Sequence, residues 1–323
     1  MNSLKNSSIK KRISLIVPFY NEGDNIVKIY NEIKDAINSC KDKYDFEILF
    51  VDNHSTDNSF AVAQSLSQAN PPDHKVKILR FSRNFGYQAS IMTGYLNCTG
   101  DAAIEIDCDG EDDPHLVLSF LEKWEQGYQV VYGIRKFRNE PHYIQLQRRF
   151  FYRLVKVLSD IPLPVDAGDF RLLDRKVIEH LKNFSENTLY VRGLVSYIGF
   201  SQIGIPYDRR PRYDGKSKFS YWATIRFAWH AIAAFSRAPL IVTAYIGFFT
   251  GIGSFIYLVI LINQAFKWTG FELQVIVMIL IVTTLLSILL IGMGILGAYI
   301  GRIFDEVKHR PRAIIETHVG FDS

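Results

Sequence analysis

Several things are scarce in this chain of 323 residues, and each absence removes a class of protein. Cysteine occurs at three scattered positions, Cys40, Cys98 and Cys108. An odd, dispersed set fits a reducing compartment and argues against a disulfide framework. No Gly-x-x-x-x-Gly-Lys-Ser/Thr loop occurs, and no Gly-x-Gly-x-x-Gly follows a strand pattern, so kinase, NTPase and dinucleotide-enzyme readings fall away. Nucleic-acid motifs are absent, and no metal-ligand spacing links His142, His180 and His230. Met1 to Lys11 is polar and lysine-bearing without an apolar core, which is not the pattern of a signal peptide.

Charge itself is missing from two stretches, Ala238 to Phe266 and Leu273 to Gly301, which contain no Asp, Glu, Lys or Arg. Each exceeds the roughly 20 apolar residues that cross a bilayer, so two transmembrane helices are predicted, 238–262 and 273–300. Arginine and lysine crowd the outer flanks: Arg209, Arg210, Arg212, Lys216, Lys218, Arg226 and Arg237 before the first span, Arg302, Lys308, Arg310 and Arg312 after the second. The loop between the spans offers Lys267 alone. The positive-inside rule then predicts both termini on the cytoplasmic side. The net charge of +4 reads as attraction to an anionic membrane surface, with no nucleic acid as partner.

What is present is an acidic stretch after an apolar run. Asp107, Asp109, Glu111, Asp112 and Asp113 put five carboxylates within seven residues. Such crowding is unfavourable unless a cation neutralises it, and a hard ion such as Mg²⁺ or Mn²⁺ takes carboxylate and phosphate oxygens. In extended chain Asp107 and Asp109 point to one side and could address one ion together. The alternative is a solvated acidic turn before a helix begun by Pro114.

Upstream, apolar runs alternate with helical patterns. Strands are predicted at Ile13 to Pro18, Glu47 to Val51, Val76 to Leu79, Ala102 to Ile106 and Val130 to Gly133, with a helix from Asn25 to about Asn38. Alternation of this kind implies an α/β domain with a mostly parallel, Rossmann-like sheet covered on both faces. Ligands bind such sheets beyond the carboxyl ends of the strands. That rule gathers Asn21 and Glu22, Asp52 and Asn53, Arg83 and Asn84, Asp107 and Asp109, and Arg135 at one edge. Carboxylates for base and ribose, an arginine for phosphate and a metal pair describe a nucleotide diphosphate pocket.

Val17-Pro-Phe-Tyr-Asn-Glu22, Val51-Asp-Asn-His-Ser-Thr-Asp57, Ser82-Arg-Asn-Phe-Gly86 and Asp107-Cys-Asp resemble, in order, the motifs of family 2 glycosyltransferases with the GT-A fold. Asp166-Ala-Gly-Asp-Phe-Arg171, Arg212-Tyr-Asp-Gly-Lys-Ser-Lys218 and Tyr299 to Pro311 resemble the bacterial polyprenyl-phosphate branch, related to dolichyl-phosphate mannose synthase. The resemblance runs from about Ile13 to Ile315. It implies a UDP-sugar donor held by Pro18, Asn21, Glu22, Asp52, Asn53, Arg83 and Asp107, and Mg²⁺ or Mn²⁺ at Asp107, Asp109 and Glu111. It also implies a polyprenyl phosphate acceptor. Asp169, Asp109 and Arg135 are the expected catalytic residues; Arg148, Arg149, Arg212, Ser217 and Lys218 are expected on the acceptor phosphate. For Asp169 the alternative is an ion pair with Arg171 or Arg175. Two positions depart from the family pattern: Glu111 stands where relatives carry a glutamine, and Asn53-His54 replaces Asp-Gly.

The expected organisation is a polar tail at 1–11, a GT-A domain at 12–211, an amphipathic juxtamembrane segment at 212–237, the two spans, and a cytoplasmic tail at 301–323. Phe219, Tyr221, Trp222, Ile225, Phe227 and Trp229 interleave with Lys216, Lys218, Arg226 and His230, as in a helix lying in the membrane interface. The oligomeric state is left open, a homo-oligomer included. The expected activity is inverting transfer of a hexose, glucose first, from a UDP-sugar to undecaprenyl phosphate at a bacterial plasma membrane. UDP-GlcNAc, UDP-galactose and GDP-mannose are the alternative donors, and a non-catalytic membrane scaffold the alternative class.

Overall fold

The computed structural model describes residues 10–69, 71–136, 167–186, 189–213, 238–265 and 271–321. Arg148, Arg149, Ser217, Lys218 and the whole 214–237 segment lie outside the described residues. The strands are β1 (Lys11–Phe19), β2 (Tyr44–Asp52), β3 (His74–Phe81), β4 (Ala102–Glu105), β5 (Val130–Arg135), β6 (Ala167–Asp174), β7 (Gln202–Tyr207) and β8 (Ile315–Val319). They form one eight-stranded sheet in the order β7-β5-β6-β4-β1-β2-β3-β8. β1 pairs in parallel with β2 and β4, β2 with β3, and β5 with β7. β6, lying between β4 and β5, and β8, on β3, run antiparallel to their neighbours. The expected mostly parallel GT-A sheet is therefore present.

Both faces are covered, which is why the central strands read as unbroken apolar runs. In β1, Ile13, Leu15 and Val17 point to one core and Ile16 to the other, as a period of two requires. The first core is closed by α1 (Asn25–Asn38), through Ile26, Ile29, Ile33 and Ile37, and by α4 (Leu116–Glu125), through Val117, Phe120 and Leu121, with Ala63 of α2 (Ser59–Gln68). The second is closed by α3 (Tyr87–Asn97), α5 (Arg175–Leu181) and α6 (Val191–Ile198). Burying an aliphatic or aromatic side chain of this size contributes about 1.5–3 kcal/mol. The polar residues that reach the carboxyl edge thus sit on a scaffold held from both sides.

Two helices follow, α7 (Ala238–Ala265) and α8 (Phe271–Val307), both long and apolar enough to cross a membrane. Among the described residues little covers their surfaces: Phe249 is 65% exposed and Ile291 64%. Apolar area of that extent marks a surface made to be covered. α8 has 37 residues, about 55 Å of helix, against a hydrocarbon core of about 30 Å. It therefore outruns the expected 273–300 span and carries Arg302, Asp305 and Glu306 on its last turns.

The stretch expected to be a tail does not trail away. β8 pairs with β3, Ile78 opposite Val319 and Arg80 opposite Thr317, and Ser82 N donates to Ile314 O at 3.0 Å. Arg312 Nε donates to Glu186 O at 3.0 Å. The end of α8 is thereby fastened to the strand that leads into Ser82-Arg83-Asn84.

Candidate active site

The site is built at the carboxyl ends of β4, β1, β2, β3 and β5, joined by the first residues of the antiparallel β6. At the end of β4, Tyr87 of α3 donates its hydroxyl to Asp107 Oδ1 at 2.6 Å and lies 3.2 Å from Glu105 Oε1. Burial, reinforced by Asp107, Asp169 and Asp112, raises the Glu105 pKa well above the usual carboxylate range. Asp107 is pushed up to about 7, first by burial and then by Asp112 and Asp109.

Beyond Asp107 the chain turns through Gly110, whose φ of 75° lies in the left-handed region and where a Cβ would stand 2.3 Å from the Tyr213 ring. The cations that balance the acidic stretch are arginines of the segment after β7. Arg212 Nη2 lies 2.9 Å from Asp109 Oδ2, and its Nε 3.2 Å from Glu111 Oε1. Arg209 pairs with Glu111 and lies 3.7 Å from Asp112; Arg210 spans Asp113 and Glu32. Tyr207 donates to the fully buried Asp112, whose other oxygen is 3.8 Å from Arg135 Nη2. Arg135 Nε in turn donates to Tyr207 Oη at 3.4 Å. A cation is needed there, as the crowding of charge demands, but Arg209, Arg210 and Arg212 already supply much of it. Arg212, expected on the acceptor phosphate, stands on Asp109, and Glu111, expected on a metal, stands on Arg209 and Arg212.

Asp169 enters the same edge from β6 because that strand runs the other way. Its partner is Arg192 of α6, with Nε to Oδ1 at 2.8 Å and Nη2 to Oδ2 at 2.6 Å; Gln88 Nε2 adds a donor at 3.3 Å. Burial pushes the Asp169 carboxyl up, but Arg192, with help from Arg171 and Gln88, outweighs it and holds the pKa below its usual value. The ion pair weighed for Asp169 is thus real but the arginine differs. Arg171 Nη2 goes to Gly168 O at 2.7 Å and Arg175 to the carbonyls of Gly100 and Cys98.

On the β1–β3 side the expected donor-binding residues come together, bonded to neighbouring turn residues such as Ser55, Thr56, Asn25, Asn84 and Phe85. Asn21, with φ 52°, accepts from Thr56 N at 2.8 Å, and Asn21 N donates to Ser55 Oγ at 3.0 Å. Glu22 accepts from Asn25 Nδ2 at 3.1 Å in the first turn of α1. Asp52 is fully buried, accepts Ser55 N at 2.8 Å, and has its pKa raised by burial against those bonds. Asn53 donates to Asn84 Oδ1 at 3.0 Å and accepts Phe85 N at 2.8 Å. Pro18 is buried in β1. Arg83 is exposed at the rim, its guanidinium 3.9 Å from the centre of the Phe85 ring. Sequence reasoning missed Tyr87, Gln88, Arg192, Tyr207 and Arg209 as site residues. Tyr87 and Gln88 directly follow the Ser82 to Gly86 motif and were within its reach; nothing near Arg192 in the chain signals Asp169.

Among the described residues no three His, Cys, Asp or Glu side chains are grouped to hold a metal. Asp107 and Asp109 nevertheless fit a hard ion that takes two carboxylates and completes its shell with substrate phosphates, because their mutual repulsion is what such an ion relieves.

Residues 14–182 match the family model for glycosyl transferase family 2. Over 315 residues the chain is 36% identical to the uncharacterized glycosyltransferase YkcC of Bacillus subtilis (strain 168), covering 96% of this chain and 95% of that one. It is 33% identical to the bactoprenol glucosyl transferase of Shigella phage SfV over 308 residues, 94% of this chain and 98% of that one. A solved mannosyltransferase, PcManGT from Pyrobaculum calidifontis in complex with GDP-Man and Mn²⁺, is 19% identical with a TM-score of 0.49, over 70% of this chain and 64% of that one.

Proposed function

Because the chain belongs to glycosyltransferase family 2, we propose that it moves one hexose, glucose first, from a UDP-sugar onto undecaprenyl phosphate at the cytoplasmic face of a bacterial plasma membrane. The observation that carries this reading is the pairing of two features. Asp107, Asp109 and Asp169 share one sheet edge with Arg135, Arg192 and Arg212, and the same chain carries two helices apolar enough to cross a membrane. Relatives named for bactoprenol glucosyl transfer align over more than nine-tenths of the chain.

The chemistry asked of the protein is modest in kind. A lipid monophosphate has a second pKa of about 6 and is mostly dianionic near neutral pH, so it attacks without a general base. A carboxylate clamped and kept ionised as Asp169 is would make a poor proton acceptor, which supports an orienting role for it. Arg135 and Arg212 oppose the repulsion between two phosphorylated substrates, and Arg83 meets the donor at the rim. A Mg²⁺ or Mn²⁺ ion held by Asp107 and Asp109 supplies charge neutralisation at the donor diphosphate. Arg148, Arg149, Ser217 and Lys218 complete the acceptor side in this proposal. The arginines and lysines flanking the helices set both termini inside.

Direct attack by the lipid phosphate inverts the anomeric carbon. Purified protein incubated with undecaprenyl phosphate and a panel of UDP-sugars and GDP-mannose should yield a lipid-phosphate sugar from UDP-glucose, β-linked by proton NMR. No transfer from any donor ends the proposal; a retained anomer ends the direct-attack mechanism.

A further inference from the structure

Asp169 is held differently from the acids of the 107–113 stretch. Each of its oxygens receives one N–H of the Arg192 fork, at 2.8 and 2.6 Å, which fixes the plane of the carboxylate as well as its place. Gln88 gives it a third donor at 3.3 Å, and the same amide accepts Val191 N at 3.0 Å, beside Arg192 itself. The first turns of α3 and α6 are thus joined at the one carboxylate. Asp169 is 5% exposed, and a buried ion pair is a weak source of stability compared with apolar residues of the same volume. Its presence at a ligand-binding edge calls for another reason.

We propose that Arg192 is a positioning residue for sugar transfer, orienting Asp169 toward the acceptor from α6 with Gln88 as its second support. This rests on the transferase reading above. The groups facing Asp169 are Arg192 from α6, Arg171 from its own strand, Tyr87 and Tyr95 from α3, Glu105 from β4 and Asp107 just beyond it. Arg135 lies over Gly168, so close that a Cβ there would meet its Nη2 at 3.0 Å. Without Arg192, burial and the neighbouring acids act on Asp169 with less to oppose them, and its carboxyl takes up a proton at higher pH. Lysine in its place keeps a charge but loses the planar fork.

The test uses the full chain in detergent, with UDP-glucose and undecaprenyl phosphate, and compares wild type, Arg192→Lys and Arg192→Gln, each with its melting temperature. Arg192→Lys should lower kcat/KM for the acceptor about tenfold to hundredfold while the donor KM stays within about twofold. Arg192→Gln should also move the acid limb of the kcat profile to higher pH, and lysine should restore the limb but not the rate. Wild-type acceptor kinetics in Arg192→Lys, or a rate loss in Arg192→Gln equal at every pH, overturns the inference. Should Arg192→Gln fail to fold, Arg192→Lys decides, and unimpaired acceptor kinetics in it overturns the inference. Wild type without transfer to the lipid sinks the transferase reading and this one with it, whereas active wild type with unimpaired Arg192→Lys sinks this one alone.

Discussion

The two halves of the carboxyl edge are held by different forces. Around the ends of β1, β2 and β3, short polar side chains are knitted chiefly to backbone N–H groups: Asn21 to Thr56, Asp52 to Ser55 with Arg80 3.6 Å away, Asn53 to Phe85, with Ser59 Oγ taking the N–H of Glu22 and Gly23 at 2.9 and 2.8 Å. Around β4, β6 and β7 the groups are charged: Asp109 with Arg212, Glu111 with Arg209, Asp169 with Arg192. A network built on backbone N–H groups has one good arrangement, because a broken bond leaves a buried donor with no partner. An ion pair at a partly open edge can exchange one anion for another of similar geometry, since guanidinium forks suit carboxylate and phosphate alike. In the function proposed above, one half would be a fixed frame for a nucleotide and the other a balance of charge that phosphates can shift.

The largest effect that would sharpen this contrast is expected at Asp109. Asp109→Asn removes the charge that Arg212 neutralises and one of two proposed metal oxygens, and should lower transfer by at least about 10²–10³-fold while the protein still folds. Near-normal turnover would take Asp109 out of the chemistry. Next comes Arg212→Ala, which removes a charge-assisted contact of about 1.5–3 kcal/mol, a tenfold to hundredfold loss in acceptor efficiency. Since Arg212 also occupies Asp109, donor affinity should hold or improve in that variant. Loss of donor binding, measured by titration of the nucleotide sugar, would assign Arg212 to the wrong half.

How far the sequence foretold each half follows from the same physics. The strands of the frame are apolar on both faces, so β1 to β5 were legible as short hydrophobic runs. β6 was not, because its Asp169 and Arg171 are buried polar groups that interrupt the apolar pattern. β8 escaped because its partner lies more than 230 residues earlier and its alternating Ile315-Glu-Thr-His-Val319 carries too little apolar signal once two long helices have intervened. Locating the edge needed only the strand ends. The contacts made within the chain were less legible, because side chains choose among nearby partners: Asn21 and Asn53 bond to their own turns, as short amides favour. Arg192 lies 23 residues from Asp169 with no local cue, and such pairings exist only in three dimensions.

A smaller effect tests the frame. Asn53 is 5% exposed and bridges Asn84 to the backbone of Phe85. Asn53→Ala strands Phe85 N and should cost about 1–3 kcal/mol of stability. A lowered melting temperature with a raised donor KM, and acceptor KM unchanged, is the expected pattern. Unchanged stability would show that this half is no more fixed than the other.

The smallest effect is expected two residues from one of the largest. Arg210 and Arg212 sit in one segment, and each pairs with two carboxylates. Arg210 joins Asp113 at 2.5 Å and Glu32 at 2.9 Å, with side chains 39%, 26% and 30% exposed, on the outer side of the acidic stretch. Pairs that open to water contribute at most about 1 kcal/mol, because solvent screens the charges and the long side chains lose freedom in meeting. Arg212 meets Asp109, whose side chain is 11% exposed and which lies where the ligands are proposed to bind. Arg210→Ala should therefore leave acceptor and donor kinetics within about fivefold of wild type, a ceiling of roughly 1 kcal/mol. If Arg210→Ala costs as much as Arg212→Ala, the segment after β7 acts as one clamp on the whole stretch, and what matters is its closure over Asp109 to Asp113 rather than the contact of a single guanidinium.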